Sequence, residues 1–123
     1  MRSLLLLLLA PVCVAAQNLV PTEFPADAVA VAPASLTERI SGKVFKVKPA
    51  NGQTWRLEYK ASGYAFLNTS GGFSDSGKWR VEGTQLCADW QRSPSSCSEV
   101  RLKDETVYVK RVSNGEVIAL VLQ

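Results

Sequence analysis

Large apolar side chains recur at every second position in short runs, and a turn sequence closes each run after roughly ten residues. In "QTWRLEYK", Trp55, Leu57 and Tyr59 alternate with Thr54, Arg56, Glu58 and Lys60. Successive side chains on an extended backbone point to opposite faces, so this run presents one face to a core and the other to water. The alternation returns in "GKWRVE", where Gly77, Trp79 and Val81 oppose Lys78, Arg80 and Glu82. It returns again in "QLCADW", where Leu86, Ala88 and Trp90 share a face, and Val100 and Leu102 continue it.

Between the runs lie Asn51-Gly52, Ser62-Gly63, Ser70-Gly71-Gly72, Glu82-Gly83, a Ser/Pro stretch around Pro94, Asp104-Glu105 and Asn114-Gly115. Asn-Gly is the strongest of these signals because a tight hairpin turn demands positive φ, which both residues tolerate. The punctuation predicts an all-β fold, a small antiparallel up-and-down barrel of about eight strands. A parallel sheet is excluded, since no helix of crossover length separates the strands. The last run, "VIALVL", is apolar on both faces and must be covered twice, by the segment preceding the barrel or by a partner.

One short helix is expected ahead of the strands. Ser35 and Glu38 have the spacing of a capping box, Leu36 and Ile40 fall on one face, and Gly42 supplies a left-handed stop. Before it, residues 17–34 are rich in Pro, Ala and Val and read as an extended leader. Residues 1–16 have a basic start, an apolar run and small residues ending at Ala16, the pattern of a secretory signal peptide with the mature chain starting at Gln17. An alternative makes Cys13 an acylated first residue. The barrel domain then spans residues 35–123, and no later stretch approaches the ~20 apolar residues a membrane helix requires.

An exported chain fits the cysteines. With Cys13 removed, Cys87 and Cys97 form an even pair in an oxidising compartment, periplasmic or secreted, and a disulfide is expected. Both belong to the polar parity of their strands, so the bridge should lie away from the aromatic face.

The chemistry open to the chain is narrow. The sequence has no histidine, which removes the commonest general base and metal ligand together. With both cysteines committed to a disulfide, no metal site and no cofactor are expected. Asp75, Glu82, Asp89 and Glu99 are the candidates for a catalytic carboxylate pair, but they alternate with Lys and Arg on polar faces and read better as exposed ion pairs. The formal net charge is +3, with basic residues interspersed among acidic ones, so no stripe for nucleic acid emerges. "GGFSDSGKW" resembles a phosphate loop in spacing, yet Trp79 stands where Ser or Thr would hold magnesium, and a strand pattern follows instead of a helix. Gly71 and Gly72 read as a turn, Gly77 as space for a bulky neighbour, and Lys78 as outward-facing. Asn68-Thr69-Ser70 matches the N-glycosylation pattern within a turn.

The aromatic set Trp55, Tyr59, Tyr64, Phe66, Trp79 and Trp90 is the most informative feature. These rings either fill the barrel or line an apolar pocket near one mouth. Gly42, Gly52, Trp55, Gly77, Trp79, Leu86, Cys87 and Cys97 together give a pattern that resembles small secreted bacterial domains of uncharacterised function with lipocalin-like, or calycin-like, barrels. The expected function is a non-enzymatic module that binds a small apolar or amphipathic ligand. The alternative is a protein-interaction module of the cell envelope, an inhibitor or assembly partner, presenting its leader and edge strands.

Overall fold

The structure, a computed structural model, describes residues 20–123. The expected signal peptide, Cys13 and the first residues of the expected leader lie outside them. One helix, α1 (Pro33–Ile40), precedes eight strands: β1 (Lys43–Val47), β2 (Trp55–Tyr59), β3 (Tyr64–Thr69), β4 (Ser74–Glu82), β5 (Gln85–Trp90), β6 (Ser96–Lys103), β7 (Thr106–Lys110) and β8 (Val117–Leu122). Each strand pairs antiparallel with the next, and β8 returns to β1, so the sheet closes into the expected up-and-down barrel.

Register decides which side chains enter the barrel. Phe45 stands opposite Leu57, Leu57 opposite Leu67, and Tyr59 opposite Ala65, which places these residues on one inner face. The same face continues through Gly77, Trp79 and Val81, their partners Trp90, Ala88 and Leu86, and then Val100, Leu102, Val107, Val109, Ile118 and Leu120. The outer face carries Lys46, Arg56, Glu58, Lys78, Arg80 and Arg101, a surface made for water.

The two ends of the barrel differ. At the α1 end, Leu36 and Ile40 are fully buried in one cluster with Phe45, Tyr59 and Ala65, so the helix closes that end. Gly42, at φ +75°, turns the chain from α1 into β1, and its N–H donates to the Tyr59 carbonyl. The helix begins three residues earlier than its capping box predicts. Ala32 is the N-cap, without a side-chain bond, and Pro33 opens the first turn. Proline has the helical φ built in and lacks an N–H that would need a partner there, so it nucleates the helix in place of Ser35.

The leader answers the question raised by β8. Pro21 O accepts from Val117 N–H, Phe24 lies under the Arg101 guanidinium, Asp27 pairs with Lys103 at 3.1 Å, and Val29 exchanges two backbone bonds with Leu102. It is a strap across the outside of β6, β7 and β8. Val117 is buried on that outer side, whereas Val121 and Leu122 beyond the strap stay about half exposed, at 52% and 45%.

The β1–β8 seam is short, with only Phe45–Leu122 and Lys46–Val121 in register. Glu116 extends it. Glu116 is 4% exposed, and its carboxylate accepts from the Ala50 N–H at 2.8 Å and from Arg111 at 3.0 Å, tying the β1–β2 loop to the β7–β8 loop.

Candidate functional site

Opposite the helix, the barrel is hollow. A cavity of about 490 Å³ opens between the β5–β6 and β7–β8 loops, with Leu57, Leu67, Leu86, Val109 and Ile118 on its walls. That volume falls in the range of small-molecule sites, which are mostly apolar concavities with a few placed polar groups.

The six aromatic residues singled out from the sequence separate into three places. Trp55, Tyr59 and Trp90 line the cavity. Trp79 faces inward but lies toward the helix end, edge-on to Tyr59 at 5.7 Å, with its indole N–H donating to the Lys60 carbonyl. Tyr64 and Phe66 do not join them. Register puts Phe66 opposite Glu58 and Ser76, and Tyr64 opposite Lys78, all on the outer face. There, Lys60 lies over the Phe66 ring and Lys78 over that of Tyr64, at 5.3 and 5.9 Å. The aromatic face is therefore four residues deep inside the barrel, not six, because Ala65 and Leu67 take the inner positions of β3.

Tyr59 forms the floor of the cavity. Burial alone pushes its phenol above the ordinary tyrosine range, so the ring stays neutral. Phe45 packs against its other side, edge-on at 6.1 Å. At the rim, the Arg111 guanidinium stacks over Trp55 at 4.8 Å while donating to Glu116. The Trp55 indole N–H is sealed from solvent beneath it and has no partner.

Polar residues that the sequence reading passed over complete the lining: Ser93, Ser95, Ser96, Ser98 and Ser113, together with Arg111. A signal for two of them was present. In "SCSEVRL", Ser96 and Ser98 share parity with Val100 and Leu102, the core side of β6. Register confirms it, with Ser96 opposite Ala88 and Ser98 opposite Leu86.

The carboxylate candidates have separate duties. Arg80 binds both Glu82 and Asp89 at 2.8 Å, and Glu99 accepts from Thr84 and Gln85. Asp75 departs from the expected exposed ion pair. It is 6% exposed, and its carboxylate accepts from the N–H of Ser76 and of Arg92 at 2.8 and 3.0 Å. Desolvation acts to raise its pKa, but hydrogen bonds from Ser93 and from the Arg92, Ser76 and Gln91 backbones outweigh it and hold the group below the usual carboxylate value. Asp75 thereby fixes the loop that forms one lip of the cavity.

Cys87 and Cys97 are bonded, facing each other across β5 and β6 on the outer side of the barrel. Glu82 lies 4.0 Å from the Cys97 sulfur, but sulfurs joined to each other offer no thiolate for a metal. In "GGFSDSGKW", Gly72 makes the β3–β4 turn at φ +88°, and Lys78 points outward as expected. Gly77 serves a different neighbour from the one anticipated: a Cβ there would sit 2.2 Å from the Asp89 carbonyl oxygen, so the space is taken by the backbone of β5.

These features define a closed eight-stranded antiparallel barrel, plugged by a helix at one end and hollow at the other. Comparison with known proteins finds no matching family model, no matching curated protein and no matching solved structure.

Proposed function

We propose that the protein is a non-enzymatic binding module, periplasmic or secreted, that takes a small apolar or amphipathic ligand into the open end of the barrel. The observation that carries this reading is the cavity of about 490 Å³, bounded by apolar walls and by Trp55, Tyr59 and Trp90. A barrel of this size has room to be filled by its own side chains, and the inner positions here hold Ala88, Ser96 and Ser98 where larger residues would close the space. The resemblance to lipocalin-like secreted domains points the same way. The Cys87–Cys97 disulfide supports an oxidising compartment, and no helix among the described residues is long and apolar enough to cross a membrane.

Native mass spectrometry of protein purified from its own host tests the reading. The expected result is an adduct of small-molecule mass on the wild-type chain that is lost in Ala88→Phe, whose ring would occupy the lumen. Wild-type protein that carries no adduct and whose tryptophan fluorescence ignores a panel of apolar probes would end it.

The second reading is an envelope protein-interaction module. Its basis is now the exposed end of β8, Val121 and Leu122, together with Val20 and Val29 of the leader, since the strap covers the outer side of β8 where the strand begins.

A further inference from the structure

The polar lining of the cavity is electrically neutral. Of the residues that line it, Arg111 alone carries a formal charge, and Glu116 answers that charge at 3.0 Å; Asp75, behind the lip and opposite Leu67, has its carboxylate taken up by the Ser76 and Arg92 N–H groups. Every other polar group is a serine hydroxyl, the Tyr59 phenol or a tryptophan. The serines reach below the rim: Ser98 is only 9% exposed and faces the lumen opposite Leu86. It lies two residues from Val100, whose partner Val109 is two residues from Arg111, so the register brings Ser98 level with the Arg111 backbone, on the same inner face.

A ligand whose head reaches this level leaves water. For an anionic head, attraction to Arg111 would be largely cancelled by repulsion from Glu116 directly behind it, leaving the desolvation cost uncompensated. A cationic head would meet Arg111 first. An amide, ester or hydroxyl has no such penalty. It can accept from the free N–H groups of Arg111 and exchange hydrogen bonds with Ser96 and Ser98, whose hydroxyls both donate and accept.

We infer that the cavity selects uncharged amphiphiles, with a hydrocarbon or aryl tail against Leu57, Leu67 and Ile118 and a neutral hydrogen-bonding head at Ser96, Ser98 and Arg111. The inference rests on the cavity being a binding site, as proposed above, and adds the chemistry of its occupant.

Matched probes separate the two ideas. The full mature chain is titrated at neutral pH with octanamide, 1-octanol, octanoate and octylamine, following tryptophan fluorescence, of whose three sources Trp55 and Trp90 line the cavity. The amide and the alcohol are expected to bind at least about tenfold more tightly than either ion. Octanoate or octylamine binding as tightly as octanamide overturns the inference and leaves the binding reading intact. Silence from all four sinks the binding reading itself. Glu116→Gln supplies an independent arm, because it keeps an acceptor for Ala50 but unmasks the charge of Arg111. Octanoate should then tighten by about tenfold while octanamide changes little. Unchanged octanoate affinity in a folded variant overturns the inference, and if that variant does not fold, the wild-type comparison decides alone.

Discussion

At Gly77, β4 and β5 approach so closely that a methyl group would lie 2.2 Å from the Asp89 carbonyl oxygen and 2.9 Å from the Trp90 Cα. Backbone cannot rotate aside as a side chain can, so Gly77→Ala is expected to destabilise the protein by roughly 3 kcal/mol, read from chemical denaturation. A loss below about 1 kcal/mol would mean that the strands separate at little cost. Asp75 makes a pH prediction. Its carboxyl is held below the ordinary value of 3.8, so its contribution is present above that value and is lost as pH falls through the depressed one. Amide protection at Arg92 should collapse in that acid window before protection in the strands does, and Asp75→Asn should show weak Arg92 protection already at neutral pH. Hydrogen exchange that leaves Arg92 protected in the variant would remove Asp75 from its role at the lip. Neither duty was visible in the sequence, because both depend on which backbone atoms another strand brings near, and periodicity carries no distance. Tyr64 and Phe66 show the same limit. In "YAFLNT", apolar residues occupy both parities, so either face could have been the inner one until pairing with Tyr59 chose Ala65.

Among the elements, the strands were the most legible because most inner faces announce themselves by alternation and most turns by glycine or proline, the β6–β7 turn at Asp104-Glu105 excepted. The helix was less so. Ser35 and Glu38 satisfy the capping pattern, yet Pro33 initiates the helix and Ser35 falls within its first turn. Ser35→Ala is accordingly expected to change stability by less than about 0.5 kcal/mol, whereas a working cap would cost about 1 kcal/mol. Thermal unfolding of the single variant distinguishes these outcomes. The β5–β6 hairpin depends on more than hydrogen bonds, since Cys87 and Cys97 cross-link it ten positions apart in sequence. Closing a loop of that length restricts the unfolded chain by about 2–3 kcal/mol, so the Cys87→Ala, Cys97→Ala double variant should melt about 10–20 °C lower. Because the hairpin loop also forms a lip of the cavity, ligand affinity should weaken in the same variant.

On the scale of the whole molecule, the barrel has two weak places, the short β1–β8 seam and the apolar outer side of β8, and the chain covers both with pieces that are not strands. Glu116 bridges the seam, while the strap from Pro21 to Val29 covers β6, β7 and β8. The sequence showed that "VIALVL" needed cover on two sides and offered the segment preceding the barrel or a partner, but could not choose between them, since the leader has no period and docks through backbone atoms and isolated contacts. Its end pairing is strand-like: Val29 and Leu102 exchange bonds at 2.9 and 2.8 Å, on a part of β6 that extends beyond the start of β5. Deleting residues 20–31 would free those β6 groups, release the Val117 N–H and uncover Val117 on the same outer face as the already exposed Val121. An unpaired strand segment next to apolar surface is a template for another chain. The truncated protein is therefore expected to keep its β-rich circular dichroism, because every barrel pairing survives, yet to self-associate in a concentration-dependent way on size-exclusion chromatography. A truncated chain that stays monomeric at high concentration would show that the strap protects nothing, and the exposed end of β8 would then lose its standing as a contact surface.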